Sequence, residues 1–514
     1  MPGQSAPERE DAASYLAVEQ GETTGLPGRA RPVAPLSGGA RVCMLVGMNT
    51  TPSKTRGVWG AIAEATDDSR EDLASALVRE LDEGFALLET LAPAVTFFGG
   101  ARIQPDDPYY AAAERMGELL ADRGVPPRTG AGPGIMAAVP EGFRRRLDAR
   151  GEATGAALPA RALQDGPQPL TQGFNIILPF EQELNPAIDV SLELAHFPTR
   201  KLMLYKNCVG LLIFPGGFGT LDELLEVWRL KAAGALQYPF VLYGRDFWRP
   251  LAEGLRAAAA SVPAATIPPE VFRLLSWADD PEEAMSLGIG PDPEARGAEP
   301  LRTLGARIAR ELVEGLGYLQ SLAPAVTVLG GSRLTEDDAV VAQAERLARA
   351  LAVEGVPTRA GGPGQLSVAL ARGGHAGAEH LPQQAFGMRR RDARNLYGAD
   401  RVHLVSDRLT HKVLLTEGSI AVVALPGGLG TLDELFSVIC QLQTQKIANR
   451  RIVLLGSAYW TPLFASIREV MLDGPRRTIG PHDLELLTIT DDPEEAAALA
   501  LTPPPERGPK TGRA

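Results

Sequence analysis

Cysteine is scarce. Three residues, Cys43, Cys208 and Cys440, occur among 514, and no CxxC pair is present. So few, so scattered, cannot build a disulfide framework, and they suggest a reducing compartment. Histidine is nearly as rare at six, without an HExxH; His375 and His380 stand five apart, which suits no common metal pair. No metal centre is expected. No apolar run reaches the ~18 residues that a membrane helix needs. The N-terminal MPGQSAPEREDAAS lacks the basic-then-apolar order of a signal peptide, so a cytoplasmic location is expected. Positive charge is in deficit: Lys+Arg 51 against Asp+Glu 63, a net charge of −12. Such a chain repels polyanions, which argues against nucleic acid or an anionic membrane as partner.

The remaining composition is ordinary for a folded protein, with 45% hydrophobic and 22% charged residues. At ~150 residues per domain the length suggests about three domains, or two larger α/β units. An internal repeat favours two. LAPAVTFFGGARI at 91–103 returns as LAPAVTVLGGSRL at 322–334, and FPGGFGTLDEL at 214–224 returns as LPGGLGTLDEL at 425–435. ERMGELLADRGVPPRTGAGPG at 114–134 matches ERLARALAVEGVPTRAGGPG at 345–364, and DDPEEA recurs at 279–284 and 491–496. The offset falls from 231 residues (91 to 322) to 212 (279 to 491), so the second copy is 19 residues shorter. A repeat of this length is a duplicated domain rather than a solenoid unit.

Within each copy, strand and helix patterns alternate. Residues 94–98 and 240–243 read as strands, and the apolar run 208–214 as a strand buried on both faces. Helical spacing covers 110–123 and 220–230; a lead-in helix at 72–90 is echoed at 306–321. The expected fold class is α/β, with two tandem Rossmann-like, doubly wound parallel sheets whose ligands bind at the carboxyl ends of the strands. The expected units are a disordered tail at 1–40, a first domain at 41–295 that opens with an extra strand at 41–48, a second domain at 296–501, and a disordered tail at 502–514.

In PGGFGTLDE at 215–223, a buried strand meets a glycine turn and then a helix. Backbone amides at such a helix start suit a phosphate, and the Thr220 hydroxyl adds a donor. Neither a P-loop lysine nor the third glycine of a dinucleotide fingerprint is present. A purely structural reading also fits: Thr220 and Glu223 have capping-box spacing. The second cluster, TGAGPGIMAA at 129–138, is either a tight turn or the other wall of a mononucleotide site.

TRK at 199–201, with Arg200 placed 23 residues before the Glu223 of PGGFGTLDE, resembles the LOG family, many of whose members formerly carried a lysine decarboxylase label. GFNIILPFEQELNP at 173–186 is similar to its longer, type II branch and to the bacterial nucleotide 5′-monophosphate nucleosidases. The resemblance implies a phosphoribohydrolase that cleaves a nucleoside 5′-monophosphate to free base and ribose 5-phosphate; in plants and their microbes this releases active cytokinins. It implies Arg200 and Glu223 as the catalytic pair. Gly216, Gly217, Gly219 and Thr220 would hold the phosphate, with Lys201 beside them. Gly130, Gly132, Gly134 and Met136 would close the pocket, and Gly99 and Gly100 would lie at its rim. No cofactor is implied. A pyridoxal-dependent decarboxylase would need a Schiff-base lysine, for which only Lys201 and Lys412 recur in both copies near the site. The alternative from another class is a nucleotide- or cofactor-binding carrier of the same fold, as in the related molybdenum-cofactor carriers.

The second copy keeps Gly427, Gly428, Gly430, Thr431 and Glu434 but has His411 at the place of Arg200. A neutral imidazole cannot copy a guanidinium fork, so this copy is expected to be degenerate. Family members are homodimers with composite sites, which implies an intrachain pseudo-dimer here, with Gln443 and Lys446 lent to the first pocket; further homo-oligomerisation stays open. Arg389, Arg390, Arg391 and Arg394 form the densest basic cluster, either a solvated turn or a regulatory anion site. The identity of the base is left open.

Overall fold

The structure, a computed structural model, describes residues 70–151, 170–179, 184–262, 266–290, 299–389 and 398–504. The expected strand at 41–48, the N-terminal tail and residues 505–514 lie outside the described residues. The first half starts with helix α1 (Arg70–Thr90), followed by β1 (Ala94–Phe98), α2 (Pro108–Arg123), β2 (Pro127–Thr129) and α3 (Ile135–Ala149). It continues through β3 (Gln172–Ile176), β4 (Val190–Leu194), α4 (Phe197–Tyr205), β5 (Cys208–Ile213) and α5 (Phe218–Ala232). It closes with β6 (Phe240–Tyr243), α6 (Arg245–Ala260), the short α7 (Pro269–Phe272), β7 (Ser276–Ala278) and α8 (Pro281–Gly288). β1 and β5 are buried at every position, as their unbroken apolar runs require of strands covered on both faces.

The seven strands form one sheet in the order β4-β3-β2-β1-β5-β6-β7, every ladder parallel. The chain therefore runs outward from β1 to β4 and then returns to place β5 on the other side of β1. The point where strand order reverses leaves a crevice at the carboxyl ends of β1 and β5. Gly99 and Gly100 follow β1 there, and the Pro215–Gly219 turn follows β5; Phe98 and Ile213 are register partners.

The second half repeats the plan. Helix α9 (Leu301–Gln320) leads into β8 (Ala325–Leu329), α10 (Ala339–Val353), β9 (Thr358–Ala360), α11 (Gln365–Gly377), β10 (Gln384–Met388) and β11 (Arg401–Val405). Then follow α12 (Arg408–Thr416), β12 (Ser419–Ala424), α13 (Leu429–Gln443), β13 (Ile452–Leu455), α14 (Ser457–Ile467) and β14 (Leu487–Thr490). Its sheet order, β11-β10-β9-β8-β12-β13-β14, is that of the first sheet. No helix among the described residues is long and apolar enough to cross a membrane.

Each half buries an outer helix layer against the other. α1 packs on α9, α5 on α13 and α6 on α14, so each helix meets its own repeat counterpart, the pattern of a twofold interface. One hydrophobic cluster runs through both, including Trp228, Trp248, Phe436, Trp460 and Phe464, with the Phe218 and Phe436 rings 5.8 Å apart. Charges are also enclosed here. Lys201 pairs with Asp222 and, at 3.2 Å, with Glu226. Lys412 reaches Asp433 at 2.7 Å and the same Glu226 at 3.0 Å. Burial alone would pull the Lys201 ammonium down, but Asp222, Glu226 and Asp433 more than offset it and hold it charged. Truncating one member of such a network strands its partners. Lys201→Met is therefore expected to cost about 3–5 kcal/mol in denaturant unfolding; a loss below about 1 kcal/mol, the scale of an exposed pair, would contradict this.

Candidate active site

Three loops converge at the first switch point because their backbones bond to one another. Phe214 N–H donates to Phe98 C=O at 2.8 Å, Gly100 N–H to Pro215 C=O at 2.9 Å, and Ile135 N–H to Gly100 C=O at 3.2 Å. Gly134 has φ 69°, and a side chain on it would strike the Gly100 carbonyl, so glycine is required where α3 starts. Helix α5 begins at Phe218, with Gly217 as its N-cap and no side-chain cap. Thr220 therefore lies inside the first turn, where its buried hydroxyl packs under Gly216. The capping-box alternative does not hold: Glu223 points to another helix.

That helix is α4. Arg200 donates from Nε to Phe174 C=O at 2.9 Å, and its Nη1 lies 3.3 Å from Glu223 Oε1. Its guanidinium fills the space that a side chain on Gly130 would need, against Met136. Both partners are nearly enclosed, with side-chain exposures of 8% and 11%. Burial raises the Glu223 carboxyl to about 7, with Arg200 and Lys201 pulling against it. Gly99, Gly100, Gly134 and Gly216 thus meet at one crevice, Gly130 lies against Arg200, Gly217, Gly219 and Thr220 open the helix that carries Glu223, and Gly132 is buried in the same loop as Gly130.

Lys201 is not brought to the glycine turn. It follows Arg200 on α4, faces away from the crevice and is spent on the interfacial ion network. Gln443 is the last residue of α13, and Lys446 lies beyond it, half-buried, its pKa pulled down by burial and supported by Glu80 of the first half. Arg389 is exposed just past β10, its N–H bonded to Val405 C=O at 2.6 Å; Arg390, Arg391 and Arg394 lie outside the described residues.

Several residues at the site escaped the sequence reading. Cys440 of α13 packs on Ile176 and Phe197 of the first half and sits 3.8 Å from where a side chain on Gly219 would begin. Burial pushes its thiol pKa up, so it packs there as an apolar group. Glu80 of α1 holds the start of α4, accepting from Ala195 N–H at 2.6 Å and from the Thr199 hydroxyl. Glu311 does the same for α12 through Ser406 and Asp407. Arg128, fully buried, binds Gln172 at 2.8 Å and carbonyls at the end of α4, including Met203 C=O at 3.1 Å; Arg359 repeats this. The repeat held a signal for these: RELDEG at 79–84 matches RELVEG at 310–315, and VPPRTG matches VPTRAG.

The second switch point is built alike but filled differently. His411 Nε2 faces two carbonyls, Gly361 at 2.9 Å and Phe386 at 3.1 Å, so it carries the ring proton. Burial lowers the His411 pKa, leaving Nδ1, 3.5 Å from Glu434, with no proton to give. A guanidinium comes instead from the first half: Arg229 of α5 lies 2.8 Å from Asp433 and 3.3 Å from Glu434, against Gly430. Arg229 and Cys440 occupy matching positions on α5 and α13, so the first pocket receives a cysteine where the second receives an arginine. An infrared titration of the first pocket should show the Glu223 carboxyl ionising near pH 7, with that signal missing in Glu223→Gln. Arg200→Met should move the midpoint upward, since the arginine opposes the rise; a downward move would refute this electrostatic picture.

The family model described as "Possible lysine decarboxylase" matches residues 156–287 and 374–500, together about half of the chain. The curated cytokinin riboside 5′-monophosphate phosphoribohydrolase of Rhodococcoides fascians is 32% identical over 108 residues, 21% of this chain and 52% of that protein. The chain thus spans about half the length of this relative. Among solved structures, the molybdenum cofactor binding protein from Rippkaea orientalis is 19% identical with a TM-score of 0.26, covering 38% of this chain and 94% of the other. The molybdenum cofactor carrier protein from Chlamydomonas reinhardtii is 18% identical with a TM-score of 0.23, with the same coverage, 38% and 94%.

Proposed function

The chain belongs to the LOG-type family described as "Possible lysine decarboxylase", and from that premise we propose that its first half hydrolyses the N-glycosidic bond of a nucleoside 5′-monophosphate. The observation that carries this reading is the enclosed Arg200–Glu223 pair beside an amide-lined glycine turn, with Glu223 poised near pH 7. The 5′-phosphate docks on the amides at the start of α5, which sets the sugar over the carboxylate. As the bond from C1′ to the base nitrogen stretches, positive charge develops on the sugar and the Glu223 carboxylate stabilises it. Glu223 accepts a proton from the attacking water, whose hydroxyl bonds to C1′. The electron pair of the broken bond leaves with the base, which takes up that proton. Arg200 holds the carboxylate in place and keeps a share of it ionised.

The family's description also names a decarboxylase, and the residues do not fit the cofactor that this chemistry uses. A Schiff-base lysine works from a lowered pKa. Lys201 and Lys412 are instead each paired with two buried carboxylates, and both are held more basic than usual against the pull of burial.

One working site per chain follows from this reading, because the second cleft has a neutral histidine and is occupied by Arg229. Ribose 5-phosphate release from a panel of adenine, prenylated adenine, guanine and pyrimidine monophosphates tests both parts. Glu223→Gln is expected to lower kcat by about 10²–10³, whereas Glu434→Gln leaves it essentially unchanged. Full activity in Glu223→Gln would reject the assigned role, and nucleotide binding without product release would leave a binding protein.

A further inference from the structure

The two clefts exchange different residues at their glycine turns as well. Residues 474–480 of the second half, reading GPRRTIG, lie on the first half's turn: a side chain on Gly217 would begin 2.6 Å from the Thr478 carbonyl oxygen. Arg102, two residues past Gly100, donates from Nη1 to the Arg477 carbonyl at 3.3 Å. Arg476 pairs with Asp107 at 2.8 Å and lies over the Tyr109 ring at 4.2 Å. That ring meets Phe214, the residue before the turn, edge-on at 6.5 Å. The Thr478 hydroxyl is buried, with no hydrogen-bond partner among the described residues. Arg477 has φ 42° and an exposed side chain, and makes no ion pair among the described residues.

The reciprocal contact exists, since a side chain on Gly428 would begin 2.7 Å from the Thr266 carbonyl oxygen. Its sequence is different. Pro263-Ala264-Ala265-Thr266-Ile267 stands where the other half has Pro475-Arg476-Arg477-Thr478-Ile479. In sequence, two arginines precede Thr478 and two alanines precede Thr266. Arg476 is already engaged by Asp107 and Tyr109, which anchors the segment. Arg477 remains, one residue from the carbonyl that covers Gly217, beside a helix start whose amides suit an anion.

We propose that Arg477, lent by the second half, reads the 5′-phosphate in the first half's cleft, with Arg102 beside it. This rests on the reading of the first cleft as a nucleotide site and adds its specificity residue. A guanidinium takes a phosphate dianion in a two-pronged grip, and the contact is the same before and during bond cleavage. Its loss therefore raises KM and spares kcat. The test uses the full chain and the best monophosphate from the panel. Arg477→Ala should raise KM by about tenfold or more with kcat nearly unchanged, and Arg477→Lys should recover part of the loss. Calorimetric binding of ribose 5-phosphate, which needs no turnover, should weaken by the same factor, while hydrolysis of the phosphate-free nucleoside and the unfolding temperature stay put. Wild-type KM and ribose 5-phosphate affinity in Arg477→Ala would overturn the proposal and leave the first cleft's reading intact. A wild-type chain that neither binds ribose 5-phosphate nor releases it would overturn that reading as well.

Discussion

Two adjacent ion pairs between α4 and α5 set the rest of the molecule. Consecutive helix residues point about 100° apart. The doublet Arg200-Lys201 on one helix therefore faces the doublet Asp222-Glu223 on the other as two rungs. One rung, Lys201 with Asp222, turns into the interface between the halves. The other, Arg200 with Glu223, turns into the crevice at the carboxyl ends of the strands. The geometry of the Arg200–Glu223 pair is thus fixed in part by the neighbouring Lys201–Asp222 contact. Arg128 and Glu80 secure the two ends of α4, so the shorter of the two helices is held at its start, its end and its middle.

Duplication within one chain lets this arrangement become asymmetric. In a symmetric dimer each change on α5 would appear in both clefts. Here Arg229 and Glu226 on one helix face Cys440 and Ser437 at the matching places on the other. Glu226 serves both buried lysines, and Arg229 supplies the guanidinium that His411 no longer provides. The second half keeps its glycine turn, and its Glu434 carboxylate is paired with Arg229. Asp433 and Glu434 would be costly to enclose without a cation; Asp433 has Lys412 of its own half as well as Arg229, and the guanidinium beside Glu434 comes from the first half.

Much of this is legible in the sequence, for identifiable reasons. Strands 94–98 and 240–243 fall where the apolar runs place them, because strands buried on both faces have no polar alternation to blur their ends. The helix 220–230 starts two residues earlier in the structure, since glycine at 217 and 219 conceals the boundary from propensity. Glu223 stands out through its recurrence as Glu434, and Arg200 through its spacing from Glu223 and the family resemblance. Adjacency in sequence suggests a shared site for Lys201, but it does not reach the glycine turn, because neighbours on a helix point about 100° apart. Cys440 was invisible for a different reason: it belongs to the first pocket only through packing between halves, and no local pattern encodes that.

Asymmetry in what crosses the interface also bears on why the second half persists. Beside the first glycine turn, Ile176 and Phe197 pack on Cys440 of the other half, and Gly217 is covered by the Thr478 carbonyl of the other half. Removing the second half would open this apolar contact, bare the turn and leave Lys201 and Asp222 facing water. Enclosure is what raises Glu223 toward neutrality, so water admitted on that side would return it toward an ordinary carboxylate. The second half therefore acts on the Glu223 carboxyl through desolvation, a contribution that needs no ligand in its own cleft.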